Sequence, residues 1–165
     1  MRLMSIVHDA QGRAASVTRS LDGVAPLLAR LTLGVTFVGT GWGKLQHVDK
    51  VTAFFTELGL PAPHFQATLV GATELFGGAL LLAGLASRLA ALPLLVTMVV
   101  AILTAKRADI AGVSDVFGLV EWTYLVLLAW LALNGPGRFS ADGLRAVFSK
   151  RAPAPLRADA AVVVR

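Results

Sequence analysis

Residues 65–86 read FQATLVGATELFGGALLLAGLA, and the reading of this stretch decides the fold. It is almost wholly apolar and holds a single ionisable side chain, Glu74, close to its middle. About 20 mostly apolar residues suffice to cross the hydrocarbon core of a bilayer as a helix. The stretch therefore predicts a transmembrane span, and residues 24–42, 89–105 and 116–133 predict three more. The expected fold is all-α: a four-helix transmembrane bundle over residues 24–138, an N-terminal tail over 1–23 and a C-terminal tail over 139–165.

Composition points the same way. Hydrophobic residues make up 56% of the chain and charged ones 15%, with a mean hydropathy of +0.71, whereas soluble domains carry about 25% charged residues. Residues 1–23 lack the compact apolar core of a secretory signal, so no cleavage is expected. Between the first two spans, Val48, Val51, Phe54, Phe55 and Leu58 recur at helical spacing and predict a short interfacial helix in the first outer loop. Pro61 and Pro63 end it. Residues 140–150 predict a second surface helix. Four spans place both termini on one side of the membrane. Ten cations lie on that side, in the two tails and at Arg88, against Lys44, Lys50, Lys106 and Arg107 on the other. The termini are thus expected in the cytoplasm and the chain in a bacterial inner membrane. The net charge of +5 sits beside spans, where anionic lipid is the ordinary counter-ion, so a nucleic-acid partner is not expected.

Three ionisable residues fall inside the spans: Arg30, Glu74 and Glu121. A charge at that depth is expensive and persists only where it meets a partner, a cavity or a task. On helical spacing Arg30, Gly34, Phe37, Gly41 and Lys44 share one stripe of the first span, and Gly71, Glu74 and Gly78 share one of the second. Glycines beside each charge let neighbouring backbones come close, which turns the charge toward protein. By depth, Arg30 is expected to reach Glu74 as a proton-exchange pair, and Glu121 to answer Lys44 or Lys106. The cleft between them suits a quinone or another small redox molecule, with Lys44, Glu121, Tyr124 and Arg88 as binding residues and Trp42 and Trp122 nearby. A set of structural ion pairs is the competing reading.

Other motifs contribute less. Gly39-Thr40-Gly41-Trp42-Gly43-Lys44 imitates a phosphate loop but has Val38 and Leu45 where that loop needs glycine and a hydroxyl residue. Gly39-x-x-x-Gly43 suits close helix packing, or a homo-oligomer. The three histidines lie outside the spans and there is no cysteine. Bound haem, an iron–sulfur cluster and a thiolate metal site are accordingly not expected, and if the chain handles electrons their carrier comes from elsewhere.

Arg30-x3-Gly34, Gly41-x2-Lys44-Leu45, Leu58-Gly59-Leu60-Pro61, Glu74-Leu75-x-Gly77-Gly78, Arg88-Leu89 and Gly135-Pro136-Gly137-Arg138-Phe139-Ser140-Ala141-Asp142 follow one another in order. Over residues 25–145 this series resembles the DoxX family of small bacterial integral membrane proteins. The resemblance implies an inner-membrane subunit of an oxidoreductase-type complex, with partner subunits, linked to respiratory or sulfur redox chemistry. By position it carries over Arg30, Lys44, Glu74 and Arg88 as the polar residues of the family. A proton-coupled transporter of a small molecule and a structural anchor for a soluble redox enzyme are the alternative functions.

Overall fold

The computed structural model describes residues 23–144. They form α1 (Val24–Gln46), α2 (Val48–Glu57), α3 (Pro63–Ala83), α4 (Ser87–Leu103), a 3-10 turn (Arg107–Asp109), α5 (Val113–Gly118) and α6 (Val120–Asn134). All regular structure among the described residues is helical. The two long helices, α1 and α3, have the length and apolarity needed to cross a membrane. The shorter α4 and α6, of 17 and 15 residues, span about 25 and 22 Å at 1.5 Å per residue.

The strongest packing is antiparallel, between α1 and α3, and glycine is its cause. A Cβ on Gly78 would lie 2.8 Å from Val38 N and 3.0 Å from Gly34 O, and one on Gly41 would lie 2.7 Å from Gly71 O. The register therefore sets Gly34 against Gly78 and Gly41 against Gly71, the backbones touching where a side chain would hold them apart. Gly39 and Gly43 take no part: a Cβ on either meets nothing among the described residues. The packing reading of Gly39-x-x-x-Gly43 thus does not apply within the chain. Helix α3 starts with Pro63 in its first turn and ends at Gly84, whose φ of +65° lets Gly84 N and Leu85 N bond back to Leu81 O and Leu80 O. The turn that follows runs straight into α4, which pairs with α6. Leu33, Phe37, Leu81, Leu94, Leu128 and Leu131 form the buried core. Large apolar side chains on the outside of every long helix, among them Val35, Phe76, Leu89 and Leu133, are exposed, as suits a surface that meets acyl chains rather than water.

Two elements differ from the sequence reading. The stretch 116–133 is not one helix. It breaks at Leu119, whose φ of −72° and ψ of +135° are extended, so that α5 and α6 are separate. The cause is local: Gly118 is a weak helix former with open space around it, while Asp115 Oδ2 accepts from Ala111 N and Gly112 N and fixes α5 on its own start. The other concerns residues 139–144, the start of the expected C-terminal tail. They fold back on the helix ends: Asp142 N donates to Gly84 O at 3.1 Å, and Ser140 is buried. Positive φ at Gly135 and Gly137 makes the reversal. The expected helix over 140–150 is described only for its first turn, residues 141–144. The rest of it, like the N-terminal tail before residue 23, lies outside the described residues.

Candidate functional site

The α1/α3 register determines which charges can meet. Arg30 stands opposite the Leu81–Gly84 end of α3, and Glu74 lies about 12 Å further along, eight residues at 1.5 Å each. Arg30 therefore does not pair with Glu74, contrary to the expectation from depth. Its guanidinium donates instead to Leu81 O at 3.4 Å and to Phe139 O. Buried to 1% exposure, it ties α1 to α3 and to the returning C-terminal segment. Gly84 is required beside it, since a Cβ there would run into the guanidinium and into Ser140.

Glu74, 3% exposed, finds its partners on the other half of α1. Its Oε2 accepts from Lys44 Nζ at 2.5 Å and from Thr40 Oγ1 at 2.9 Å. Thr40 and Lys44 are four apart on α1 and so share a face. The hydroxyl of Thr40 was missed in reading the sequence, although its spacing from Lys44 already put it on that face. The Lys44 side chain is not fully enclosed, with 28% of it exposed.

This cluster opens into a cavity of about 710 Å³ at the α2 end of the bundle. Phe54 and Phe55 of α2 and Leu58 just after it form its roof, Thr36 and Phe37 of α1 one wall, and Glu121 and Tyr124 of α6 another. Most of the lining surface is apolar, as in sites that take a drug-sized ring, and Gln66, Thr73, Thr97 and Thr104 add further polar groups to it. Tyr124 reaches across to Phe37, ring edge to face with centroids 5.9 Å apart. Glu121 is set apart from Lys44. Its Oε1 lies 4.0 Å from Lys106 Nζ, which also approaches Asp109 at 3.5 Å, while its Oε2 is buried without a hydrogen-bond partner.

Lys44, Glu74, Glu121 and Tyr124 thus share one cavity. Arg88 does not join them. It stands at the opposite end, donates to Asn134 O at 3.4 Å and lines a smaller cavity of about 400 Å³ with Gly135, Pro136 and Asp142. The tight α3–α4 turn fixes it there. Neither Trp42, which is exposed, nor Trp122, which meets Phe117 edge to face with centroids 5.3 Å apart, lines the main cavity.

Comparison with known proteins gives this arrangement relatives. The DoxX family profile matches residues 25–107. "Uncharacterized membrane protein Rv3486" of Mycobacterium tuberculosis is 38% identical, over 86% of this chain and 93% of that protein. "Putative oxidoreductase CatD" of Bacillus subtilis is 36% identical, over 68% of this chain and 80% of its own length. "Inner membrane protein YqjF" of Escherichia coli is 30% identical, over 76% and 95%. No solved structure matches.

Proposed function

The chain belongs to the DoxX family of membrane proteins, and from that premise we propose that it is the membrane subunit of an oxidoreductase-type complex whose interior cleft engages a quinone. In this reading α1, α3, α4 and the broken α5/α6 segment cross a bacterial cytoplasmic membrane, with both termini on the cytoplasmic side. The observation that carries the reading is the Lys44–Glu74–Thr40 cluster, facing a mostly apolar cavity of ring size. A quinone carbonyl needs a hydrogen-bond donor, and the ammonium of Lys44, a residue that lines the cavity, supplies one. Reduction to the quinol takes two electrons and two protons. The electrons come from a partner subunit, since this chain has no cysteine for a thiol relay or cluster. Glu74 Oε2 passes protons, Lys44 holds the carbonyl, and the orphaned Glu121 Oε2 accepts a hydroxyl of the reduced ring. The printed name of the Bacillus subtilis relative supports an oxidoreductase setting.

The test is titration of the purified protein with a ubiquinone or menaquinone analogue. Glu74→Gln keeps the shape of the cluster but removes its charge and should weaken binding at least several-fold. Equal binding by wild type and variant refutes the assigned cleft. One observation favours proton-coupled transport as a second reading: the helix break at Leu119 beside Glu121 matches the interrupted helices at transporter midplanes. Flux into proteoliposomes that follows an imposed pH gradient would decide for it.

A further inference from the structure

The main cavity has a side door. Helices α3 and α4 are in contact from their shared turn up to Gly77, where an added Cβ would lie 3.0 Å from Leu94 Cδ1. Beyond that point the cavity is lined by both helices. Leu69 on α3 and Val96 and Val100 on α4 line the cavity, yet they are 51%, 61% and 40% exposed. A residue that both walls a cavity and faces outward marks its mouth. Pro93, also a lining residue, sits inside α4 beside Leu94.

The depth of this mouth defines what can use it. Leu69 is six residues from the start of α3 and Val96 seven from the end of α4, so the opening lies about 9–10 Å in from the helix ends. In a bilayer with a hydrocarbon core of about 30 Å that position is among acyl chains, below the headgroups. Every residue named at the mouth is aliphatic. At the polar end of the cavity Glu74 is buried inside the bundle and Lys44 is partly exposed. Overhead, α2 supplies an apolar roof. Its Phe54, with Val120 at the start of α6, is exposed at the rim, which leaves the polar end within reach of the interface for proton exchange.

Resting on the quinone reading above, we propose that the ligand is a lipid-dissolved amphiphile whose apolar tail lies in the α3–α4 opening while its polar ring stands at Lys44 and Glu74. The tail occupies the gap lined by Leu69, Val96 and Val100, and the ligand enters from the membrane plane rather than from water. A head group without a tail fills only part of the site.

The full chain in lipid nanodiscs tests this with two probes that share a ring: 2,3-dimethoxy-5-methyl-1,4-benzoquinone and its 6-decyl derivative, measured by calorimetry with correction for lipid partition. The decyl compound should bind at least about tenfold tighter, as burial of two or more methylenes implies. Val96→Trp, at an exposed position, should remove about tenfold of that affinity and leave the tailless compound within about twofold. Val35→Trp, on the lipid face of α1 and 63% exposed, should change neither. A decyl probe with a terminal diazirine should crosslink at Leu69, Val96 or Val100. Equal affinity for both probes, an indifferent Val96→Trp, or adducts only elsewhere overturns the side door and leaves the quinone reading standing. Failure of both probes to bind overturns the quinone reading, and the side door with it.

Discussion

Replacing Lys44 by Met removes the charge that faces Glu74 while keeping a side chain of similar length. Glu74, 3% exposed, then keeps only the Thr40 hydroxyl on Oε2, at 2.9 Å. Removing one partner of a buried ion pair costs about 3–5 kcal/mol, because the survivor's charge stays uncompensated. The Lys44 side chain is 28% exposed, so water replaces part of what it supplied, and a loss nearer about 2–3 kcal/mol is expected. Lys44→Met with Glu74→Gln removes both charges and should recover about 1–2 kcal/mol of the summed single losses, as residues in direct contact do. The measurement is reversible unfolding in mixed micelles by added dodecyl sulfate, followed by circular dichroism, for wild type, both single variants and the double. Arg30→Met combined with Glu74→Gln is the control. Those two sites share no contact, so their effects should add within about 0.5 kcal/mol. Additivity at Lys44 and Glu74, or strong coupling at Arg30 and Glu74, refutes the pairing and the register from which it follows.

Gly41→Ala and Gly78→Ala should each cost about 1–3 kcal/mol in the same assay, because the new methyl meets backbone atoms; Gly39→Ala and Gly43→Ala, with nothing in the way, should leave stability unchanged or raise it by about 0.5–1 kcal/mol through helix propensity. Arg30→Ala should remove the bonds to Leu81 O and Phe139 O and so loosen the returning segment from α1 and α3, seen as faster tryptic cleavage after the exposed Arg138; unchanged cleavage would show that Asp142 and Ser140 hold the segment without it. Lys106→Met should cost no more than about 1 kcal/mol, since its contacts are long and partly solvated, and a larger loss would mean a tighter bond to Glu121.

Much of this was legible in the sequence. The glycine stripes already named the faces on which α1 and α3 meet, and Gly34/Gly41 and Gly71/Gly78 have the same seven-residue spacing. Laid antiparallel, those two pairs fix the register and with it the separation of Arg30 from Glu74. Estimating depth from span ends hid this, because it treated each helix alone. The cavity residues Lys44, Glu74, Glu121 and Tyr124 were readable as polar positions on inward faces. Arg88 was misplaced because a polar side chain close to a span carries no sign of which end of the bundle it serves. The return of residues 139–144 was beyond reach, since it depends on carbonyls of Leu81, Gly84 and Phe139 that any residue would present. The break at Leu119 had one local signal, Gly118, too weak on its own against the apolar run on both sides.

That break changes the electrostatics of Glu121. In an uninterrupted span its carboxylate would sit partway along a rod, with every nearby amide committed to the ladder. As the chain is built, Glu121 falls in the opening turn of α6, where the first amides have no helical acceptor and the summed peptide dipoles present positive charge. This favours an anion there by about 0.3–1 kcal/mol, without recourse to a second basic side chain. The extended residue before α6 thus gives this carboxylate a backbone counter-charge of its own, and Lys106 has only to supply the remainder.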